Sequence, residues 1–597
     1  YRYGLPVRRH EHGQKEKREQ DRQNDPNRSQ DIISCLSRKN KDASMKPIAT
    51  MTRSDSPNDA KREMDWKAWL AAFYVTMLGV IALVLPDHPN ALHISSFLVL
   101  PIEIPLALIT LLLLPRPLAR IIALCLTIIL ATILFLKIAD ISVQSAFQRR
   151  FNPYFDITMI ENGWFLLSGI VGRWAAVFVI GLGLSAFLVV IGFFFAAQAR
   201  LISLSRRAKY PLLGFFGIIA LTCLAVLIMP PDGMRSNHVS AKAYGYLSSR
   251  LDLVVTSVKD MHAFETALSD KSGPQSGDGL FARVRGRDVI LIFVESYGRS
   301  AVEDERYSPL IKPRLESVEN ELTKAGFASA SGWSLSPTMG GLSWLAHGTF
   351  LSGLWVDNQI RYDRLMLSDR PSLNRLFRDA GWQTAAIMPA ITMEWPEAGY
   401  FGYDRTFVSA NLGYKGDPFN WVTMPDQYTL SAFEKLVREP AHEEGKTVMA
   451  EIALISSHAP WTPVPHLIDW NDVGDGTVFN EQANSGETPR EVWAEKDNIR
   501  QHYIATIDYS LETLGSYIAA FGDDAVFIIL GDHQPAPLVT GPDASRAVTV
   551  HVVSRDQALV DNFLPAGFAP GMIPASDQPE LPMNDMRQLL IDKFAGP

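Results

Sequence analysis

DVILIFVESYG at residues 288–298 and AVFIILGDHQP at residues 525–535 decide the fold. Each is a short apolar run, rich in β-branched residues, that ends abruptly in side chains carrying carboxylate or imidazole. Apolar runs without alternation are what a strand buried on both faces requires, and such strands belong to parallel sheets covered by helices. TAAIMP (384–389), TVMAEIALIS (447–456) and VTVHVV (548–553) repeat the pattern, while SLNRLFRDAG (372–381) and NIRQHYIATIDYSLETLGSYIAAFG (498–522) between them have helical periodicity. This alternation predicts an α/β domain with a mainly parallel central sheet. In such sheets the site lies beyond the carboxyl ends of the strands.

Moving towards the N-terminus, KSGPQSGDG (271–279) reads as a linker, and the composition then changes. Five stretches, 66–85, 94–114, 118–138, 174–197 and 210–229, are each apolar over about 20 residues, the length that crosses a hydrocarbon layer of ~30 Å as a helix. A five-helix transmembrane α-helical domain is therefore expected ahead of the α/β domain. Lys and Arg precede the first stretch and sit in the second and fourth connections (Arg116, Arg120, Arg200, Arg206, Arg207, Lys209), which marks those sides as cytoplasmic. An odd number of spans then puts everything after 229 outside. The third connection, with AFQRRFNPYFD (146–156), is discordant, and an interfacial helix is expected there.

The expected organisation is a disordered cytoplasmic leader (1–65), a membrane domain (66–230), a linker with helical stretches (231–285) and an extracytoplasmic catalytic domain (286–597). Residues 1–44 are too polar to bury a core, and Met45 is an alternative start, so that leader is read as either untranslated or a cytoplasmic tail. The cysteines, Cys35, Cys125 and Cys223, all precede the catalytic domain, which therefore folds without disulfides and holds no Cys-based metal site. With 56 Lys and Arg against 64 Asp and Glu and no basic stripe in the second half, no nucleic-acid partner is expected.

Three strand ends supply metal-type ligands: Glu295, His458, and Asp532 with His533. Carboxylates and imidazoles together make a mixed oxygen and nitrogen site suited to one divalent ion, Zn²⁺ or Mn²⁺ with Mg²⁺ as a further option. SPTMGGLSWLAHGTFLSG (336–353) supplies a nucleophile. Gly340 and Gly341 permit close backbone approach, and a Ser or Thr opening the next helix would meet a phosphoryl group at free N–H groups.

FVES, a Ser/Thr-initiated helix ending in SG, SHAPW and GDH in this order resemble the alkaline phosphatase/sulfatase superfamily. With the preceding spans, the chain resembles its lipoteichoic acid synthases, phosphoethanolamine transferases and phosphoglycerol transferases. The resemblance implies Glu295, Asp532, His533 and the nucleophile as metal ligands, and His458 as a histidine beside the transferred phosphoryl group. The superfamily's nucleophile lies ten positions before the Gly of its TG, so the resemblance, carried to Gly353, implies Ser343 as nucleophile and His347 at a substrate-contacting position; Thr338, which resembles the Thr-initiated loop of the transferases, is the rival. SWLAH lacks the Pro and Arg of formylglycine sulfatases, so sulfate-ester hydrolysis is not expected. The aromatic segments 391–404 and 413–430 lie where the superfamily places substrate insertions, with Trp395, Glu397, Tyr414, Asp426 and Gln427 as candidate contacts.

The expected function is phosphoryl-headgroup transfer from a phospholipid donor to an envelope glycan or lipid acceptor at a bacterial inner membrane, through a Ser/Thr intermediate, with His458 or His347 serving the leaving oxygen. The alternatives are a membrane-bound phosphodiesterase or phosphatase, and a non-catalytic envelope sensor.

Overall fold

The computed structural model of the protein describes residues 65–86, 99–159, 163–164, 167–168, 171–228, 239–240, 243–270 and 272–596. The expected leader lies outside the described residues, apart from Asp65. Helices α1 (Trp66–Val84), α2 (Glu103–Leu113), α3 (Arg116–Phe147), α4 (Arg173–Ser203) and α5 (Arg206–Ile228) follow. Pro115 and Pro117 flank the start of α3, where a missing N–H costs nothing.

Among the described residues, four helices, α1, α3, α4 and α5, are long and apolar enough to cross a membrane by length and composition. The expected fifth span is not established among the described residues. The second expected span, 94–114, is represented by α2, whose 11 residues rise only ~16 Å at about 1.5 Å per residue; residues 94–98 lie outside the described residues. Many apolar side chains of α4 point outward, with Trp174 84% and Phe178 68% exposed, a surface that water does not favour.

The third connection, where an interfacial helix is expected, is described only in part, up to Met159 and at 163–164, 167–168 and 171–172. There α3 runs on to Phe147, ends at Gln148 in the left-handed region, and hands over to a turn closed by Arg149 on Asp156 at 2.6 and 2.8 Å. Within the expected linker, α6 (Ala243–Ser269) forms a 27-residue helix. Its Arg250 and Tyr246 meet the buried Asp140 of α3, Tyr246 donating at 3.0 Å.

The C-terminal region is built on a nine-stranded sheet. Its strands are β1 (Val289–Val294), β2 (Ala328–Leu335), β3 (Gln383–Met388), β4 (Arg405–Val408), β5 (Val448–Leu454), β6 (Val526–Gly531), β7 (Ala547–Ser554), β8 (Ala569–Pro570) and β9 (Glu580–Pro582). The order is β8-β2-β7-β6-β1-β5-β3-β4, with β9 paired to β2. Strands β6, β1, β5, β3 and β4 are mutually parallel, and β7 runs antiparallel to both β6 and β2.

The two faces explain the unbroken apolar runs. Ile290, Ile292 and Val294 pack against helices α7 (Ser308–Lys324) and α9 (Lys496–Phe521) through Leu315, Ile507 and Leu514. Val289, Leu291 and Phe293 face Leu345 and Phe350 of α8 (Ser343–Ser352) and Phe377. Strand β2, ASASGWSL, has small polar residues at alternate positions and no apolar run, so the pattern that revealed the other strands is absent from it.

Candidate active site

Strand register assembles the site. Val294 pairs with Gly531 of β6 and with Leu454 of β5, so Glu295, Asp532 and the segment leading to His458 leave the sheet side by side. Glu295, Asp532 and His533 are all buried. Each offers one ligand atom, and the three atoms lie within 4.8 Å of one another.

Neighbouring groups fix how these donors point. Asp532 Oδ1 accepts from the backbone N–H groups of Ser296 (2.8 Å) and His533 (2.6 Å), which leaves Oδ2 to face Glu295 and His533. His533 Nδ1 contacts Gln534 O at 2.8 Å, turning Nε2 towards the carboxylates, 3.2 Å from Glu295 Oε1 and 3.7 Å from Asp532 Oδ2. A carboxylate–imidazole set oriented in this way by second partners is a donor arrangement that fits a divalent cation.

Electrostatics agree with that fit. Burial and the neighbouring Glu295 charge push the Asp532 carboxyl up to about 6. Burial would also raise Glu295, but the charge and hydrogen bond of His533, with His458 behind them, hold it well below the usual carboxylate range. Burial alone would lower His533, and the charges of Asp532 and Glu295 outweigh it, taking the imidazole up to about 9. Two carboxylates crowded in a dry site call for positive charge.

The loop 336–342 delivers Ser343 to this cluster. Ser343 Oγ donates to Glu295 Oε2 at 3.1 Å and lies 3.2 Å from His533 Nε2. Leu342 just before it has φ +66°, a left-handed conformation unusual for a branched residue, and Ser296 after Glu295 has φ +58°. Positive φ at such residues costs about 1–3 kcal/mol and tends to gather at functional sites. Thr338 is placed differently: its Oγ1 donates to Gly341 O at 2.7 Å within the loop.

Comparison with known proteins follows this geometry. Residues 287–545 match the family model described as Sulfatase. The match covers 259 of the chain's 597 residues. Among solved structures the chain is similar to the lipoteichoic acid synthase LtaP from Listeria monocytogenes, at 15% identity over 47% of this chain and 68% of that one, TM-score 0.32. It is also similar to the C-terminal periplasmic domain of EcEptC from Escherichia coli, at 15% identity over 55% and 84%, TM-score 0.34. A third is the phosphoglycerol transferase GacH from Streptococcus pyogenes, at 11% identity over 56% and 90%, TM-score 0.34. No curated protein matches the chain in sequence.

Within the matched region the other sequence candidates are placed unequally. His458 is half-buried, its Nδ1 at 2.5 Å from Ala459 O, and its charge acts on Glu295. Trp395, Glu397 and His347 line a cavity of about 220 Å³ together with Trp344, Glu394 and Glu451. Tyr414, Asp426 and Gln427 do not line it. Tyr414 packs on Tyr428 and donates to Asp417 O at 3.0 Å, while Gln427 holds the backbone of Ile468. Asp426 is fully buried and accepts from Ile455 N, Ser456 N and Ser510 Oγ at 2.7–2.9 Å, so it holds the end of β5.

The sequence reading missed Glu451. It sits in the middle of β5, 1% exposed, and accepts from Asn374 Nδ2 at 3.2 Å and from Tyr403 OH, with His347 Nδ1 at 2.7 Å. A lone carboxylate inside a buried apolar strand was the available signal, because buried acids need dedicated partners.

Proposed function

We propose that the protein is a membrane-anchored, metal-dependent transferase that moves a substituted phosphoryl group, of the phosphoglycerol type, from a phospholipid to an envelope glycan or lipid acceptor. The observation that carries this reading is Ser343 Oγ at 3.1 Å from Glu295 Oε2 and 3.2 Å from His533 Nε2, inside a buried carboxylate–imidazole cluster. Helices with many outward apolar side chains, joined to that domain, favour a lipid donor over a soluble one. Residues 1–65, 66–230, 231–285 and 286–597 are taken as leader, membrane domain, linker and catalytic domain. The Lys/Arg bias favours a bacterial inner-membrane location, with the last of these outside the cytoplasm; 94–114 remains a fifth span in this reading.

Glu295, Asp532, His533 and Ser343 would hold one Zn²⁺, Mn²⁺ or Mg²⁺. Bound there, the ion supplies Lewis acidity to the phosphoryl oxygens and lowers the pKa of the hydroxyl beside it. Ser343 attacks phosphorus, the diacylglycerol oxygen leaves, and the headgroup phosphate stays esterified to Oγ until an acceptor hydroxyl displaces it. His458 stands beside the cluster, where it would steady the phosphoryl oxygens.

The chain reconstituted in phosphatidylglycerol vesicles with Mn²⁺ or Zn²⁺ should release diacylglycerol and, after rapid acid quench, carry the phosphoglycerol mass on the peptide containing Ser343. Free glycerol phosphate without any adduct would put water in place of the serine and favour the hydrolase. Reporter fusions after 229 that are active only outside the cytoplasm check the orientation.

A further inference from the structure

The imidazole of His347 stands one helical turn after Ser343 on α8, is 7% exposed, and is stacked on Phe293 of β1 at 3.9 Å between ring centroids. Its Nδ1 faces Glu451 Oε1 at 2.7 Å. A carboxylate there makes Nδ1 the donor and leaves Nε2 as the working atom. Nε2 has no hydrogen-bond partner among the described residues, and His347 lines the cavity beside the nucleophile helix. The charge on His347 reaches Asp532, so the imidazole is close to the cluster as well as to the cavity.

Glu451 is not there by accident of packing. Its second oxygen is held by Asn374 and Tyr403, so the carboxylate cannot swing away from the imidazole. The cavity itself has two indoles, Trp344 and Trp395, and three carboxylates, Glu394, Glu397 and Glu451, with no Lys or Arg in its lining. Neither Glu394 nor Glu397 has a side-chain hydrogen bond or ion pair among the described residues. Such a lining repels a second phosphate and suits an uncharged or cationic alcohol.

We infer that His347, held by Glu451 as a positioning residue, is the proton carrier of the transfer, and that the cavity seats the alcohol whose oxygen leaves or enters. The inference rests on the covalent reading above and assigns its acid–base step. In the first half, the bond from Ser343 Oγ to phosphorus forms and the bond to the leaving oxygen breaks, its electron pair staying on that oxygen. His347 Nε2 gives that oxygen its proton, while the proton of the Ser343 hydroxyl passes to solvent water. In the second half the acceptor oxygen bonds phosphorus, His347 Nε2 takes its proton, the bond to Oγ breaks, and a proton returns to Oγ from solvent water.

Leaving-group dependence tests this apart from folding. Diaryl phosphates with leaving groups ranging from p-nitrophenol, which departs without a proton, to unsubstituted phenol, which needs one, would be assayed with the full chain in detergent and Mn²⁺. Glu451→Gln and His347→Gln should each lose about 100-fold on the phenol ester, in the range of general acid catalysis, and less than about tenfold on the nitrophenyl ester. Tyr403→Phe, which removes only one outer partner of Glu451, should give a smaller steepening. Equal losses of kcat on both esters would overturn the pair and leave Glu451 a structural residue; no steepening in either variant would do the same. If the wild-type chain cleaves neither ester and Ser343 carries no adduct, the underlying transfer reading fails and the inference fails with it.

Discussion

Ser343 Oγ hydrogen-bonds Glu295 Oε2 at 3.1 Å although 48 residues separate them. Strand β1 delivers the acid and helix α8 the hydroxyl, so the contact depends on the turn at Leu342 that starts the helix facing the sheet edge. Thr338, five residues earlier, spends its hydroxyl on Gly341 O instead. Ser343→Ala should therefore abolish the acid-stable phosphoryl adduct and lower turnover by at least ~10³-fold, as removal of a nucleophile does. Thr338→Ala should retain the adduct at a reduced rate. Peptide mapping after acid quench reads both, and an added mass on Thr338 would reverse the assignment.

Metal binding is tested at Asp532, whose Oδ1 is already occupied by two backbone N–H groups and whose Oδ2 faces the cluster. Asp532→Ala should lose stoichiometric Zn²⁺ or Mn²⁺ by elemental analysis and lose more than the 10–100-fold that outer partners of a metal site typically control. A variant that keeps both metal and turnover would show that the ion is held elsewhere.

How much of this was legible in the sequence follows from the physics of each element. β1, β5 and β6 were readable because burial on both faces demands unbroken apolar runs, and Glu295, Asp532 and His533 were readable because they end those runs. β2 was not, since its inward positions are Ser331 and Trp333 among small residues and its place is set by pairing with β7. Glu451 was hidden in plain view: a strand interior is where carboxylates are least expected, and only the fold shows His347, Asn374 and Tyr403 converging on it. Asp426 and Gln427 show the opposite case. Their polar side chains in an aromatic segment look like ligand contacts, but they satisfy backbone groups at the end of β5 and near Ile468.

Gly340 joins the nucleophile loop to the end of α3. Its φ is +73°, and a Cβ built there would lie 2.3 Å from Ala146 O, a backbone atom that cannot rotate away. Gln148 at the end of the same helix donates to Gly541 O at 3.2 Å, so α3 touches the α/β domain on this side of the loop. Gly340→Ala meets both a left-handed backbone penalty of about 1–2 kcal/mol and the clash. It should lower turnover at least tenfold while leaving metal content near stoichiometric, because Glu295, Asp532 and His533 are anchored by strands. A Gly340→Ala variant with full activity would mean that the loop does not depend on the helix end.

His551 gives the α/β domain an acid-sensitive core. It lies in β7 with no exposure, and burial alone pushes its imidazole down to about 3. Ser331 Oγ donates its one proton to Gly571 O at 2.6 Å and so accepts from His551 Nδ1 at 2.7 Å, while Tyr297 OH donates to Nε2 at 3.1 Å. The neutral tautomer is thus fully satisfied, and a second proton has no acceptor awaiting it. Because the folded pKa lies below the unfolded value of about 6.5, the contribution of His551 is present above that value and declines as pH falls towards about 3. Between pH 7 and pH 5 the unfolded chain gains nearly one proton that the folded chain refuses, which costs about 2 kcal/mol by linkage. Detergent-solubilised wild-type chain should therefore melt at a lower temperature at pH 5 than at pH 7. His551→Asn, less stable at neutral pH through lost packing and hydrogen bonds, should show a smaller drop over the same interval. Parallel drops in the two proteins would mean that other groups set the acid sensitivity and that His551 takes up its proton without opening the core.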